Sequence, residues 1–384
     1  MYFSNIRLPK CGKQIWIFAS LFVFCFSSVS FSASGLKLSN VKVAPRQFSP
    51  GQTVDISFFI NQRANVTLQI FTPDFDIVRH LLSGESRPGG VNTLKWDGLD
   101  DNGSQVPNEA YLVGIQATTS GGETMVYDPT AVSGGEFCDL HIQDARATDE
   151  SFTVTYVVSG PARVNLRAGV RTGPMLKTLV DWQPKTAGTY TLSWNGLDDT
   201  GHINVMALTG AHLMLDGFAL PENTIIMEGS SQNYIEYRKT LPQAENPLLS
   251  YQSAREAILE RMNQGISAQS LVQRVLNAAP KFTVYLEGDE TTGIAEKGVQ
   301  TVSGRLNLKA AVSQESMDML NEARFELIIF IDYRRFDEEE HAYTPYVYTL
   351  DTTSLSNGEH MITVNLVGLT GQVGSYSFKV DVNN

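Results

Sequence analysis

The chain has 384 residues, with 29 Lys+Arg against 41 Asp+Glu, a net charge of -12, 42% hydrophobic residues and 3 Cys. That hydrophobic fraction sustains packed cores and excludes wholesale disorder, and so few cysteines exclude a disulfide scaffold. The acidic balance excludes nucleic acid as the main partner, because neutralising phosphates takes clustered Lys and Arg.

Residues 1–34 read as a cleavable signal peptide. Arg7, Lys10 and Lys13 give a positive start, Ile15 to Phe26 is apolar apart from Ser20, and cleavage fits after Ser32 or Ser34. The apolar stretch falls short of the ~20 residues a membrane span needs, and no later segment is long and apolar enough for one. Removing three basic residues from 29 leaves 26 against 41 acidic ones, a net charge of -15. Cys138 is then the one remaining cysteine, so an intramolecular disulfide is ruled out and an intermolecular one is the alternative. The expected location is periplasmic, outer-surface or extracellular.

An internal repeat follows. In its first copy, Val66–Phe71 and Ile77–Leu82 alternate as strands, Arg87-Pro-Gly-Gly90 turns the chain, and Asn92-Thr-Leu-Lys-Trp-Asp-Gly-Leu-Asp-Asp-Asn-Gly103 leads to Ala110–Gln116. In the second, Ala162–Arg167 and Leu176–Val180 precede Thr191-Leu-Ser-Trp-Asn-Gly-Leu-Asp-Asp-Thr-Gly201 and Ala211–Leu215. Asn195, Thr200 and His212 stand for Asp97, Asn102 and Tyr111, and Thr124-Met-Val126 matches Thr224-Ile-Ile226. A period near 100 residues with short strands and Gly-rich turns predicts one β-sandwich per repeat.

The run Trp96–Gly103, with the Gly-bearing loop before it and the Ala-Tyr strand after it, resembles the immunoglobulin-like (Ig-like) domain of flagellar hook-capping proteins. Phe48-Ser-Pro50, leading into Val54–Phe58, is similar to that domain's opening strands. The resemblance covers about residues 36–228 in two copies and implies a fold rather than a task. Read as structure, Trp96 closes the core with its N–H on a backbone carbonyl, while Asn102-Gly103 makes a tight turn and Asp100 accepts from loop N–H groups. Read as a calcium loop ending at Glu109, the run lacks its leading carboxylate, since Gly98 stands at the first position. The expectation is therefore no metal and no cofactor.

Glu228 to Leu249 is polar, with Pro242 and Pro247, and reads as a linker. Ala254, Ile258, Leu259 and Met262 then follow helical spacing, and Leu271, Val272, Val275 and Leu276 line a second helix that Pro280 ends. Docking of this pair on a neighbouring domain is expected, because an exposed apolar stripe is an aggregation liability.

Beyond it the period returns to two. Phe282, Val284 and Leu286 alternate, as do Leu306, Leu308 and Ala310, and Phe325–Ile331 reads as a central strand. Tyr346–Leu350 is expected to pair with that strand across an acidic loop, Asp337 to Glu340. Tyr376, Phe378, Val380 and Val382 face inward on the last strand. The Asp351–His360 segment resembles the turn before the last strands of bacterial Ig-like and fibronectin-like domains.

The fold class expected is all-β: tandem Ig-like β-sandwiches with a short two-helix insert. The divisions are 35–134 (sandwich 1), 135–229 (sandwich 2), 230–250 (linker), 251–280 (helical pair) and 281–384 (sandwich 3). No chemistry-bearing pattern outweighs its structural reading, so no catalytic residue is assigned. Cys138 and His141 fall on opposite faces of a strand over Phe137–Ile142, and Glu338-Glu-Glu-His341 lacks metalloprotease spacing. The function expected is an exported, non-catalytic interaction or assembly module that binds a protein partner in the envelope or at the cell surface. The alternative is a carbohydrate-binding accessory protein or hydrolase subunit that takes polysaccharide on Tyr343, Tyr346 and Tyr348.

Overall fold

The computed structural model describes residues 35–148, 151–242, 247–265, 278–320, 325–368 and 371–384. The signal-peptide segment and the second helix of the expected pair lie outside them. The first eight strands are β1 (Leu38–Ala44), β2 (Gln47–Phe48), β3 (Val54–Ile60), β4 (Ala64–Phe71), β5 (Ile77–Arg87), β6 (Gly90–Trp96), β7 (Ala110–Thr118) and β8 (Thr124–Tyr127). Strict alternation drives the packing. In β3, Val54, Ile56, Phe58 and Ile60 are buried while Asp55, Ser57 and Phe59 are half-covered.

After α1 (Pro129–Val132) come β9 (Leu140–Ala147), β10 (Phe152–Val158), β11 (Ala162–Val170), β12 (Met175–Lys185), β13 (Gly188–Trp194) and β14 (Ala211–Ala219). The chain then runs through β15 (Ile225–Met227), α2 (Tyr234–Thr240) and α3 (Tyr251–Asn263). It finishes with β16 (Phe282–Leu286), β17 (Gln300–Val302), β18 (Arg305–Val312), α4 (Gln314–Leu320), β19 (Phe325–Ile331), β20 (Arg334–Ala342), β21 (Tyr346–Asp351), β22 (Gly358–Gly368) and β23 (Val373–Val382).

Each sandwich has one three-stranded sheet: β1-β3-β6, β9-β10-β13 and β16-β18-β21. The facing sheets differ. The first is ordered β2-β15-β7-β4-β5 with β8 also on β7, the third β17-β23-β22-β19-β20, and the second only β12-β11-β14. All-β Ig-like architecture is thus present, as the period-two patterning implied.

β15 lies between Tyr111–Ala110 of β7, antiparallel, and Gln47–Phe48 of β2, parallel. β8 pairs with the same edge of β7, further along at Ile115–Thr118. The matched triplets Thr124–Val126 and Thr224–Ile226 are therefore not equivalent members of two copies. They are successive stretches laid along one strand, and the whole of β9 to β14 is inserted between them. Long-range pairing of this kind leaves no local signature in sequence.

Four further expectations change. The polar stretch read as a linker contains α2, started by the Asn233 side chain on the Glu236 N–H. Tyr237 of α2 is buried in the first core, and Arg238 Nε donates to Asp76 Oδ2 at 2.5 Å. The strand expected over Phe137–Ile142 begins only at Leu140, because the residues before it bridge to β14 instead, Phe137 opposite Phe218 and Glu136 O accepting from the Ala219 N–H. Asp337–Glu340 and His341 are not in a loop but within β20, antiparallel to β19. Asp332 and Tyr333, both at positive φ (48° and 66°), turn the chain in two residues. β21 consequently pairs with β18 instead of β19.

The described helix of the expected pair is docked by Ala254 and Ile258, while Leu259 and Met262 of the same expected set are exposed. Ala254 and Ile258 of α3 are buried, and Ala254 joins a cluster with Phe71, Phe75 and Leu112. Arg261 donates to the carbonyl of Gly134 at 3.0 Å and pairs with Glu136. β15 also presses on the Trp96–Gly103 turn. A Cβ added to Gly98, at φ +77°, would lie 2.6 Å from Met227 Cε and 3.0 Å from the Phe48 ring; at Gly103, φ +78°, it would meet open space. Gly103→Ala is expected to cost about 1 kcal/mol for its backbone conformation, and Gly98→Ala about 2–3 kcal/mol. Urea midpoints of the two variants measure the difference, and equal midpoints reject it.

Candidate interaction surface

The Trp-bearing turn recurs almost atom for atom. Trp96 Nε1 donates to Leu99 O at 2.9 Å, and Trp194 Nε1 to Leu197 O at 2.8 Å. Asp97 and Asn195 each accept from the N–H two residues on, both at 3.1 Å. Asp100 is 2% exposed, and its Oδ1 accepts from the N–H groups of Asn102 (2.9 Å) and Ser104 (2.8 Å) while Tyr237 Oη lies 3.3 Å from Oδ2. Glu109, the far end of the calcium reading, is buried and pairs with Arg163 at 2.8 Å. These carboxylates are occupied in holding turns and joining sandwiches. Among the described residues no group of three or more His, Cys, Asp or Glu is placed to hold a metal ion.

Cys138 is buried against Ser159 Oγ (3.8 Å) and Gly160 O (4.0 Å), and His141 is exposed, so the structure does not bring the two together. Tyr346 and Tyr348 lie half-buried on the third core, with hydroxyls donating to Glu339 and Asp337, each at 2.8 Å. Burial and then the Glu339 carboxylate push the Tyr346 hydroxyl up to about 12. Tyr343 stands outside, 67% exposed, its ring edge-on to Tyr346. One exposed ring remains from the expected three-tyrosine platform.

The sandwiches are joined by polar ties. Arg163 and Glu109 link the first two, supplemented by Thr186 Oγ1 donating to Gln47 Oε1 (2.7 Å), while Gln47 is itself held by Nε2 donating to Glu228 of the same sandwich (2.7 Å). Between the second and third, Asn365 and Met175 exchange two hydrogen bonds, at 2.9 and 2.8 Å, so β12 is held against the third sandwich. The outer strand β20 carries Asp337, Glu338, Glu339 and Glu340, a run of charge that resists strand addition.

His360 on β22 caps the β19–β20 turn. Its Nδ1 lies 2.7 Å from Asp332 Oδ2 and its Nε2 2.9 Å from Ser356 O. The Asp332 carboxylate, and then the Ser356 carbonyl, raise its pKa above the ordinary histidine value. A raised folded pKa makes the protonated form the stabilising one. That contribution is complete below about pH 6.5 and is lost as pH climbs through the folded pKa. Denaturation of the full chain between about pH 6 and 8.5 should show falling stability, with a shallower slope in His360→Gln. An identical slope in the variant rejects the assignment.

No protein-family model matches the chain. The basal-body rod modification protein FlgD of Salmonella typhimurium (strain LT2) is 36% identical over 94 residues, covering 22% of this chain and 40% of that protein; FlgD of Salmonella typhi matches to the same extent. The likeness therefore spans less than half the length of these relatives. Among solved structures, an endo-beta-1,4-mannanase from Thermotoga petrophila superposes with TM-score 0.21 and 20% identity, over 41% of this chain and 30% of that one. A region of a 1.5-MDa bacterial ice-binding adhesin (TM-score 0.18, 11% identity, 91% and 99% covered) and a tetra-tandem repeat of a large adhesion protein (0.18, 13%, 91% and 74%) superpose similarly. Among the described residues no helix is long and apolar enough to cross a membrane.

Proposed function

We propose that the chain is an exported, non-catalytic interaction module of the bacterial envelope or cell surface, binding a protein partner through its Ig-like sandwiches. The observation that carries this reading is where the polar chemistry goes. The conspicuous groups, Asp100, Glu109, Cys138, Asp337 and Glu339, are spent on turns, cores and ties between sandwiches, while sheet edges face outward. Sheet edges recognise other polypeptides through backbone hydrogen bonds. The likeness of part of the chain to FlgD, a basal-body rod modification protein, supports the same reading. The carbohydrate reading keeps one observation, the exposed Tyr343 ring.

The immobilised chain, offered envelope extract and purified envelope polysaccharide in parallel, tests the two readings. Stoichiometric recovery of a defined protein supports the proposal. Retention of polysaccharide alone, lost in Tyr343→Ala, overturns it in favour of the alternative.

A further inference from the structure

The three sandwiches share one plan, and the middle one is short of it. In the complete copies the strand that precedes the last is flanked outside by a final strand, which is in turn paired in parallel with an early one: β7 by β15 and β2, and β22 by β23 and β17. In the middle copy the corresponding strand is β14, and beyond it the sheet has only an isolated antiparallel bridge of Phe137 to Phe218 at the far end of the strand. By register, Leu215 stands opposite Leu166 as Ile115 stands opposite Leu68, and Leu213 opposite Ala168 as Val113 opposite Ile70. The same register puts Ala211, rather than His212, at the place of Tyr111.

Two independent observations mark the edge as unfinished. Tyr111, Val113 and Ile115 are each 0% exposed, whereas Ala211, Leu213 and Leu215 are only half-buried, as are Leu140 and Ile142 across the gap. The backbone agrees. Ala219 turns its N–H to Glu136 O and its C=O to the Gly135 N–H, and Ala211 its N–H to Leu208 O. Alternation along an antiparallel strand then points the N–H and C=O of Leu213, Leu215 and Gly217 to the same outer side, where no described backbone group meets them. Beside this edge Phe137 is 68% exposed. Unlike β20, β14 carries one acidic residue, Asp216, and no basic one, so charge does not guard it.

We propose that β14 is a docking edge for an extended segment of a partner polypeptide, which adds antiparallel to β14 and supplies the missing final strand of the middle sandwich. The occupant's chemistry is set by the two complete copies. β15 in the first and β23 in the third are uncharged or sparsely charged strands with apolar side chains directed at the core. The partner segment therefore carries apolar residues at alternate positions, seated against Leu213, Leu215, Leu140 and Ile142. This inference rests on the interaction-module reading and names the surface it uses.

The test uses the full chain and a labelled ten-residue peptide with the sequence of Val373–Val382, a strand already built to complete such a sheet. Saturable binding is expected, weakened about tenfold or more in Leu215→Pro, because proline removes an N–H that only the incoming strand would use. Leu213→Lys provides a second variant, with a charge placed at the edge and its thermal unfolding compared with the parent. Peptide binding that is absent at about 1 mM, or equal in parent and both folded variants, overturns the proposal. Concentration-dependent dimerisation abolished by Leu215→Pro assigns the edge to a second copy and overturns the partner assignment. A Leu215→Pro chain that still recovers its envelope protein in full removes the edge while leaving the interaction-module reading in place.

Discussion

Arg163→Met is expected to destabilise the chain by about 3–5 kcal/mol, the usual cost of stranding one member of a buried ion pair. Arg163 is 0% exposed on β11, and Glu109, just before β7, is 2% exposed; their side chains meet at 2.8 Å across the junction of the first two sandwiches. The guanidinium also donates to Trp182 O at 3.0 Å, and Glu109 accepts from the Ala110 N–H at 2.7 Å. Neither sandwich closes around these charges alone, so the pair couples two cores that period-two patterning treats as independent. Arg163→Met with Glu109→Met should recover part of the loss, since no charge is then left buried. A double-mutant cycle by urea denaturation measures the coupling. A cost below about 1 kcal/mol for Arg163→Met would show that water reaches the pair and would sink the keystone role.

Trp96→Ala should cost a similar amount, about 3–5 kcal/mol, and Trp194→Ala distinctly less. The two residues hold equivalent posts, ending β6 and β13 with the same indole-to-carbonyl hydrogen bond. Their surroundings differ. Trp96 is 0% exposed between Phe48 (5.5 Å) and Tyr111 (5.3 Å, edge-on), while Trp194 is 7% exposed and meets Phe152 at 6.2 Å. The register also puts Ala211, a small side chain, where the first core has Tyr111 beside its Trp96. Thermal and urea unfolding of the two variants compare the cores, and equal losses would mean that the middle sandwich is as tightly closed as the first.

Much of this architecture is legible in the sequence. Phe325–Ile331 and Phe282–Leu286 emerge as strands with the bounds that alternation gives them, and the Trp96 and Trp194 runs announce matched turns because their chemistry is local. What stays hidden depends on distance or on charge. β15 joins strands more than a hundred residues away, so Ile225–Met227 reads as part of the nearer copy. β20 is masked because its outward acids look like a solvated loop, although the Asp332-Tyr333 turn just before it already sets a hairpin. α2 is obscured by its polarity: Tyr237 enters the first core, Tyr234 and Ile235 pack on Ala278, and Arg238 and Tyr234 bond Asp76 and Asp74.

The candidate surface shows the same division. The tyrosines of β21 could be read as one face, and alternation already put Tyr346 and Tyr348 together, as they are. Their acidic partners are not legible there, because a run of four acids reads as a loop although it forms β20. The unfinished edge left no trace, because each copy carries its own triplet after its penultimate strand, Thr124–Val126 and Thr224–Ile226, and only the fold shows that both are laid on β7.

The insertion also decides how the molecule bears a pull. Backbone tension passing from the first sandwich towards the third enters β8, which is laid on β7 at Tyr127, and leaves through β15, which is laid on the same strand at Ile225. The two anchor points are cross-tied, since Asn223 donates both to the Tyr127 hydroxyl (2.8 Å) and to Val41 O (3.0 Å). Backbone tension is therefore passed across β7 and bypasses the covalent chain of the middle sandwich, β9 to β14. Until β8 or β15 peels away, that sandwich is loaded only through its side contacts, Arg163 on Glu109 and Met175 on Asn365.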